Sequence, residues 1–278
     1  MTEMTKKKKT VRIILWITAA VFIAIAGWFI NAFFGNPVSA ALARHTAGKR
    51  LEEQYAGTDY RIERVAYSFK DSCYHAFIVS PSSADTKFSF TISLSGKLLV
   101  DSYENVTSGW VTAMRLDEEY RALADSVFDS DSFPYECDIS FGMLEFCPEG
   151  MEAGEETGIA SYAIDQSSLV RDGEYDIRLL GSQAGHLIIY VSSDTPTPEK
   201  AAEIMQDIRR IFDREGVPFA AVDLTLRVPK PDEGPWPEEF VSITDLRYYE
   251  IEEPDLADRI READEEIKRR DAQERTGK

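Results

Sequence analysis

The residues of this 278-residue chain that could carry chemistry are three histidines, three cysteines and an excess of carboxylates. His45, His75 and His186 stand far apart, with no HExxH and no second histidine at metal-ligand spacing, so no zinc site is indicated. His75 shares strand parity with Cys73, Phe77 and Val79 and reads as a satisfied core or edge histidine. Same-face neighbours rarely give nucleophile–base geometry, which disfavours a Cys73–His75 dyad. There is no CxxC. Cys137 and Cys147 lie in one strand-like run. Straight, that run holds the sulfurs beyond disulfide reach, whereas a hairpin at Gly142 would bring them together. Buried thiols are the commoner fate, and a bridge stays open.

Serine chemistry lacks GxSxG and Ser-x-x-Lys, and Ser182 in Gly181-Ser182-Gln183-Ala184-Gly185 reads as a turn residue. No phosphate loop occurs. Glu145, between Leu144 and Phe146, and Asp223, between Val222 and Leu224, read as the wet face of alternating strands. A glycosidase pair would need one acid in an apolar pocket. Asp129 and Asp131 begin like a calcium loop, but Phe133 takes the next ligand position and no glycine follows. No catalytic residue, cofactor-binding residue or metal ligand is therefore expected, and no cofactor is implied.

Charge narrows the partners. The net charge is −18, yet the first 34 residues hold five bases (Lys6, Lys7, Lys8, Lys9, Arg12) and only Glu3, so the rest carries about −22. A body this acidic lacks the cationic surface for counterion release, so no nucleic-acid partner is expected. Anionic lipid would repel it too.

The elements that must position these residues start with a membrane segment. Residues 13–34 contain no charge and would span roughly 33 Å as a helix, enough for a bilayer core. Trp16, Trp28 and Phe29 lie toward its ends, where amphipathic rings favour the interface. The basic stretch 1–12 belongs in the cytoplasm, with the body outside. The rival is a cleaved signal peptide, since Val38-Ser39-Ala40 has suitable small-residue spacing, but the apolar run exceeds a usual signal core.

The expected fold class is α+β: an N-terminal transmembrane helix, two small α+β modules and a polar C-terminal helix. A first module, 37–130, opens with a helix capped by Asn36-Pro37 and ending near Tyr55, its apolar face Ala41, His45, Gly48, Leu51 and Tyr55. Strands follow over 60–70, 73–80, 87–95 and 98–103. The apolar parity slips at Glu63-Arg64, which predicts a β-bulge. A helix over 109–128 closes the module, with Ala113, Leu116, Tyr120, Leu123 and Val127 on one face.

A second module, 135–229, holds strands over 136–146, 186–192 and 219–228. A helix capped by Thr197-Pro198 and ended by Gly216 crosses between the last two strands. The stretch 148–158 reads as an acidic loop, and 159–183 is ambiguous. Residues 230–278 bring a proline-rich linker (Pro229, Pro231, Pro235, Pro237), a short strand and a polar helix over 255–275. That helix has a thin stripe of Leu256, Ile260, Ala263 and Ile267 and reads as solvated, with partner docking as the alternative.

Several stretches resemble the YfjL-like family of membrane-anchored proteins from Gram-positive bacteria. They are Gly35-Asn36-Pro37-Val38-Ser39 after the apolar run, residues 55–70, Gly173-Glu174-Tyr175-Asp176-Ile177, Gly185 to Val191, and Gly216-Val217-Pro218-Phe219 before Asp223. The resemblance implies single-pass anchoring and an extracytoplasmic α+β body, and brings no activity or site residues with it. The expected role is a non-enzymatic binding or scaffolding module for an envelope protein, a peptide or a wall component. The alternative is an envelope hydrolase using scattered carboxylates.

Overall fold

The computed structural model describes residues 2–154, 156–229, 231 and 239–276. Pro235 and Pro237 of the expected linker lie outside them, as does Glu155 of the acidic loop. The chain divides into two compact units, Met1–Thr107 and Ser108–Lys278.

The first unit begins with helix α1 (Thr2–Phe34), which starts within the basic stretch rather than after it. Within Leu15–Gln54, an 18-residue window reaches a mean hydropathy of 2.0 with none of it buried. It is the one stretch among the described residues long and apolar enough to cross a membrane. Helix α2 (Pro37–Gln54) follows, its N-cap Asn36 accepting a hydrogen bond from the Ser39 amide at 2.8 Å. Four antiparallel strands then form a meander in chain order: β1 (Arg61–Ser68), β2 (Cys73–Ser80), β3 (Ser83–Ser93) and β4 (Leu98–Asp101). A short helix, α3 (Glu104–Thr107), closes the unit.

The β1–β2 register shifts between Ile62 and Arg64, where the parity slip lies. β2 is central and buries Tyr74, Ala76 and Ile78 on one face. Phe88, Phe90 and Ile92 of β3 join that face. The helix face that meets the sheet is Ser39, Ala43 and Ala47, not the face through His45, which is exposed. Small side chains let the helix lie closer to the sheet than His45 and Leu51 would allow.

The second unit begins with α4 (Trp110–Phe128). Expected to close the first module, this helix instead packs on β5 (Cys137–Leu144), and its Ala124 and Val127 share a core with Leu187 and Ile189. The ambiguous stretch holds a short strand, β7 (Ile164–Asp165), and helix α5 (Ile177–Ala184); β7 pairs in parallel with β6 (Phe146–Cys147), which follows β5. β8 (Gly185–Ser192), α6 (Pro198–Glu215) and β9 (Ala221–Arg227) make the crossover, β8 and β9 pairing in parallel. Thr197 caps α6 and Gly216 ends it at φ +67.

β10 (Phe240–Arg247) completes a sheet ordered β10-β9-β8-β5. Helix α7 (Leu256–Thr276) corrects the solvated reading: it packs on α6 and β10, with Leu256 and Ile260 in the core. The third position of that buried face is Asp264, which accepts the Ser242 amide at 3.1 Å and bonds Lys268 at 2.7 Å. Cys137 and Cys147 are free thiols: Cys137 opens β5, which pairs with β8, and Cys147 ends β6, which pairs with β7, so no hairpin folds back at Gly142.

Candidate functional site

Alternation along β8 and β9 builds the site. Leu187, Ile189 and Val191, with Val222, Leu224 and Leu226, face the core. His186 and Asp223 therefore fall on the opposite face of adjacent parallel strands, in a register that pairs His186 with Ala221. Glu145 comes from the joint between β5 and β6. Its amide donates to Ala184 O and its carbonyl accepts from the Ile164 amide, both at 2.9 Å. One residue earlier, Asp117 of α4 accepts the Leu144 amide at 2.7 Å. Burial holds that aspartate's pKa above the usual carboxylate value.

These three strand segments bring His186 between two acids. Its Nδ1 lies 2.8 Å from Glu145 Oε1 and its Nε2 lies 2.8 Å from Asp223 Oδ1. Burial works against a charged ring, but hydrogen bonds and charge from Asp223 and Glu145 outweigh it and raise His186 to about 9. At neutral pH the ring is thus an imidazolium donating through both nitrogens. Asp223 Oδ1 also accepts the Asp245 amide at 2.7 Å. That amide is aimed by a bulge in β10, where the register shifts between Ile243 and Leu246 and Asp245 adopts φ +54.

Tyr162 packs edge-on against the imidazole. Its hydroxyl lies 3.3 Å from His186 Nδ1, and the Arg247 guanidinium stacks 3.7 Å over its ring. Burial, a hydrogen bond to Asp245 and nearby negative charge push its phenol well above its ordinary value. Glu145, His186 and Asp223 line a cavity of about 460 Å³ that also takes in Thr244, Asp245 and residues 158–161.

The chemistry available is acceptor-rich. Glu145, Asp223 and Asp245 present carboxylates, while the protons of His186 are already committed to two of them. Among the described residues, no group of three or more His, Cys, Asp and Glu side chains is placed to hold a metal ion. The other candidates lie elsewhere. His75 is satisfied by Asp71 at 2.9 Å and Thr91 at 3.2 Å. Ser182 donates to Leu179 O within α5, so it sits in a helix and not a turn. Cys147 Sγ lies 3.3 Å from Met151 O.

Asp223 sits on the non-core face of β9, as alternation requires, whereas Glu145 lies in the joint between β5 and β6 and not on an alternating strand. What sequence reasoning missed is that His186 lies between them. Strand parity puts His186 and Asp223 on the same face of the sheet, but the register that brings them together comes only with the β8–β9 pairing. Nothing local could have added Glu145 or Tyr162.

No curated protein matches the chain significantly. One solved structure, the crystal structure of a DUF5037 family protein from Ruminococcus gnavus, is similar at 14% identity with a TM-score of 0.20, covering 66% of this chain and 74% of that one. At that score the likeness carries no argument. Two family models do match: the YfjL-like N-terminal domain over residues 7–102 and the YfjL-like C-terminal domain over 119–261. The chain belongs to the YfjL-like family.

Proposed function

We propose that this protein is a single-pass, membrane-anchored binding module. Its basic N-terminus is cytoplasmic, its body is extracytoplasmic, and its ligand is a cationic or donor-rich group such as a lysine or arginine side chain of an envelope peptide or protein. The observation that carries the binding reading is the doubly clamped His186 in an acceptor-lined cavity. A general base needs a free lone pair near its working pH, and this ring has neither nitrogen free. A positive guest, by contrast, meets three carboxylates, against which stand the imidazolium and the Arg247 guanidinium over Tyr162, an excess of one negative charge.

The test is calorimetric titration of the full chain in lipid nanodiscs with a lysine-containing tetrapeptide, alongside a glutamate-containing control. Saturable binding of the first alone, weakened at least about tenfold in Asp223→Asn, is the expected result. Equal heats from both peptides, or none, would remove the reading.

A hydrolase remains the second reading, because a histidine and two acids in one cleft are groups that acid–base chemistry uses. It predicts turnover of an ester, amide or glycoside probe that vanishes in His186→Gln. Binding without turnover leaves the module.

A further inference from the structure

The sheet of the first unit is bolted to the end of α1. Tyr67 donates its hydroxyl to Ala32 O at 3.0 Å. Tyr74 accepts the Asn36 amide and donates to Asn36 O, both at 2.7 Å. Gly35 sits between these rings at φ +71, where a Cβ would meet Tyr74 Oη and come within 2.8 Å of Tyr67 Cγ. The turn joining β1 and β2 is therefore held against the last turn of the apolar helix.

The first residue of that turn is Phe69, 56% exposed, while Tyr74, Ala76 and Ile78 of the adjoining strand are buried. Its ring packs on Phe33 at 5.9 Å between centroids, and Phe33 stacks on Phe29 at 6.4 Å. Phe33 is one residue from the end of α1 and is itself exposed, as are Phe34 and Trp28. Phe69 thus lies at the depth of the helix's outer end, continuous with its aromatic belt. Lys70 beside it is exposed and long enough to reach headgroup phosphates.

We infer that the Phe69–Lys70 turn is a second membrane contact, with the Phe69 ring inserted at the headgroup–acyl boundary of the outer leaflet. It rests on the anchored reading, since α1 sets the depth. The contact is apolar in kind, which suits a body of about −22 that anionic headgroups repel. Its effect is to add a lipid contact to the hydrogen bonds that stop the sheet from pivoting about α1 at Gly35.

The test places a nitroxide at Phe69→Cys in the full chain, with Cys73→Ser, Cys137→Ala and Cys147→Ala, reconstituted in zwitterionic nanodiscs. Phe29→Cys reports the helix, and Ser82→Cys reports the other end of β2, roughly 25 Å away. Oxygen and nickel-chelate accessibility should place the Phe69 label about 5–10 Å below the phosphates, as for an interfacial anchor. A Phe69 label as aqueous as Ser82, with the Phe29 label still buried in lipid, overturns the inference and leaves the anchor. An aqueous Phe29 label overturns both.

Should the cysteine-depleted chain fail to fold, benzoylphenylalanine at position 69 with native cysteines retained gives the same answer. A lipid adduct supports the contact. Cross-linking to a second copy of the chain, or no adduct where position 29 gives one, overturns it.

Discussion

His186 is the residue on which most of the second unit's electrostatics turn. Its pKa of about 9 lies above its unfolded value of 6.5, so folding is favoured by binding a proton there. That contribution is complete below about pH 6.5 and disappears as pH rises through 9. Its ceiling is about 3 kcal/mol. Denaturant unfolding at pH 6, 8 and 10 should show stability falling across that window, with the slope much reduced in His186→Gln. An unchanged slope in the variant would remove the clamp as its cause. Tyr120 is the other decisive side chain: fully buried, it donates to Pro218 O at 3.0 Å. Tyr120→Phe orphans that carbonyl and should cost about 1–2 kcal/mol. A Cβ at Gly185 would collide with the Tyr120 hydroxyl and lie 2.5 Å from Gly181 O, so Gly185→Ala should cost roughly 1–3 kcal/mol or more. Equilibrium unfolding of the two variants checks both values.

At the scale of elements, the crossover was readable and the tail was not. Thr197, Pro198 and Gly216 mark both ends of α6, and Ala201, Ile204, Met205, Ile208 and Phe212 repeat at helical spacing and are all buried. α7 carries the same 3.6-residue logic, but its buried row runs Leu256, Ile260, Asp264, and an acid in that row makes the face look wet. Asp264 tolerates burial because a backbone amide and Lys268 satisfy it. Ile260→Ala should therefore cost about 2–5 kcal/mol, as a core truncation does. A change below about 1 kcal/mol in chemical denaturation would return α7 to the solvated tail.

For the whole molecule, orientation across the membrane is the open question with the most consequence. The flanking lysines and the apolar run predict that protease added to intact cells removes the body and spares the N-terminus. A body protected until the cells are opened would reverse the orientation and end the envelope-side role. A soluble product lacking residues 1–40 would instead mark a cleaved signal peptide. The two units are separate compact bodies, with the division after Thr107. Sequence reading drew the boundary at 130 because α4 follows the first sheet in the chain, whereas its apolar face belongs to the second unit's core.

Sequence alone determined the local features of this protein. The apolar run, the caps at Asn36 and Thr197, the stop at Gly216, the alternation in β3 and the bulge near Glu63 each depend on a few neighbouring residues, and backbone preference and burial period act at that range. Tertiary structure decided which elements are neighbours: that α4 joins the second unit, that α7 docks, and that Cys137 and Cys147 stay apart. The site is the clearest case. Glu145 and Asp223 stand 41 and 37 residues from His186, and only strand pairing brings them to 2.8 Å. Sheet register is set by the packing of a whole unit, a free energy that no short window of residues contains.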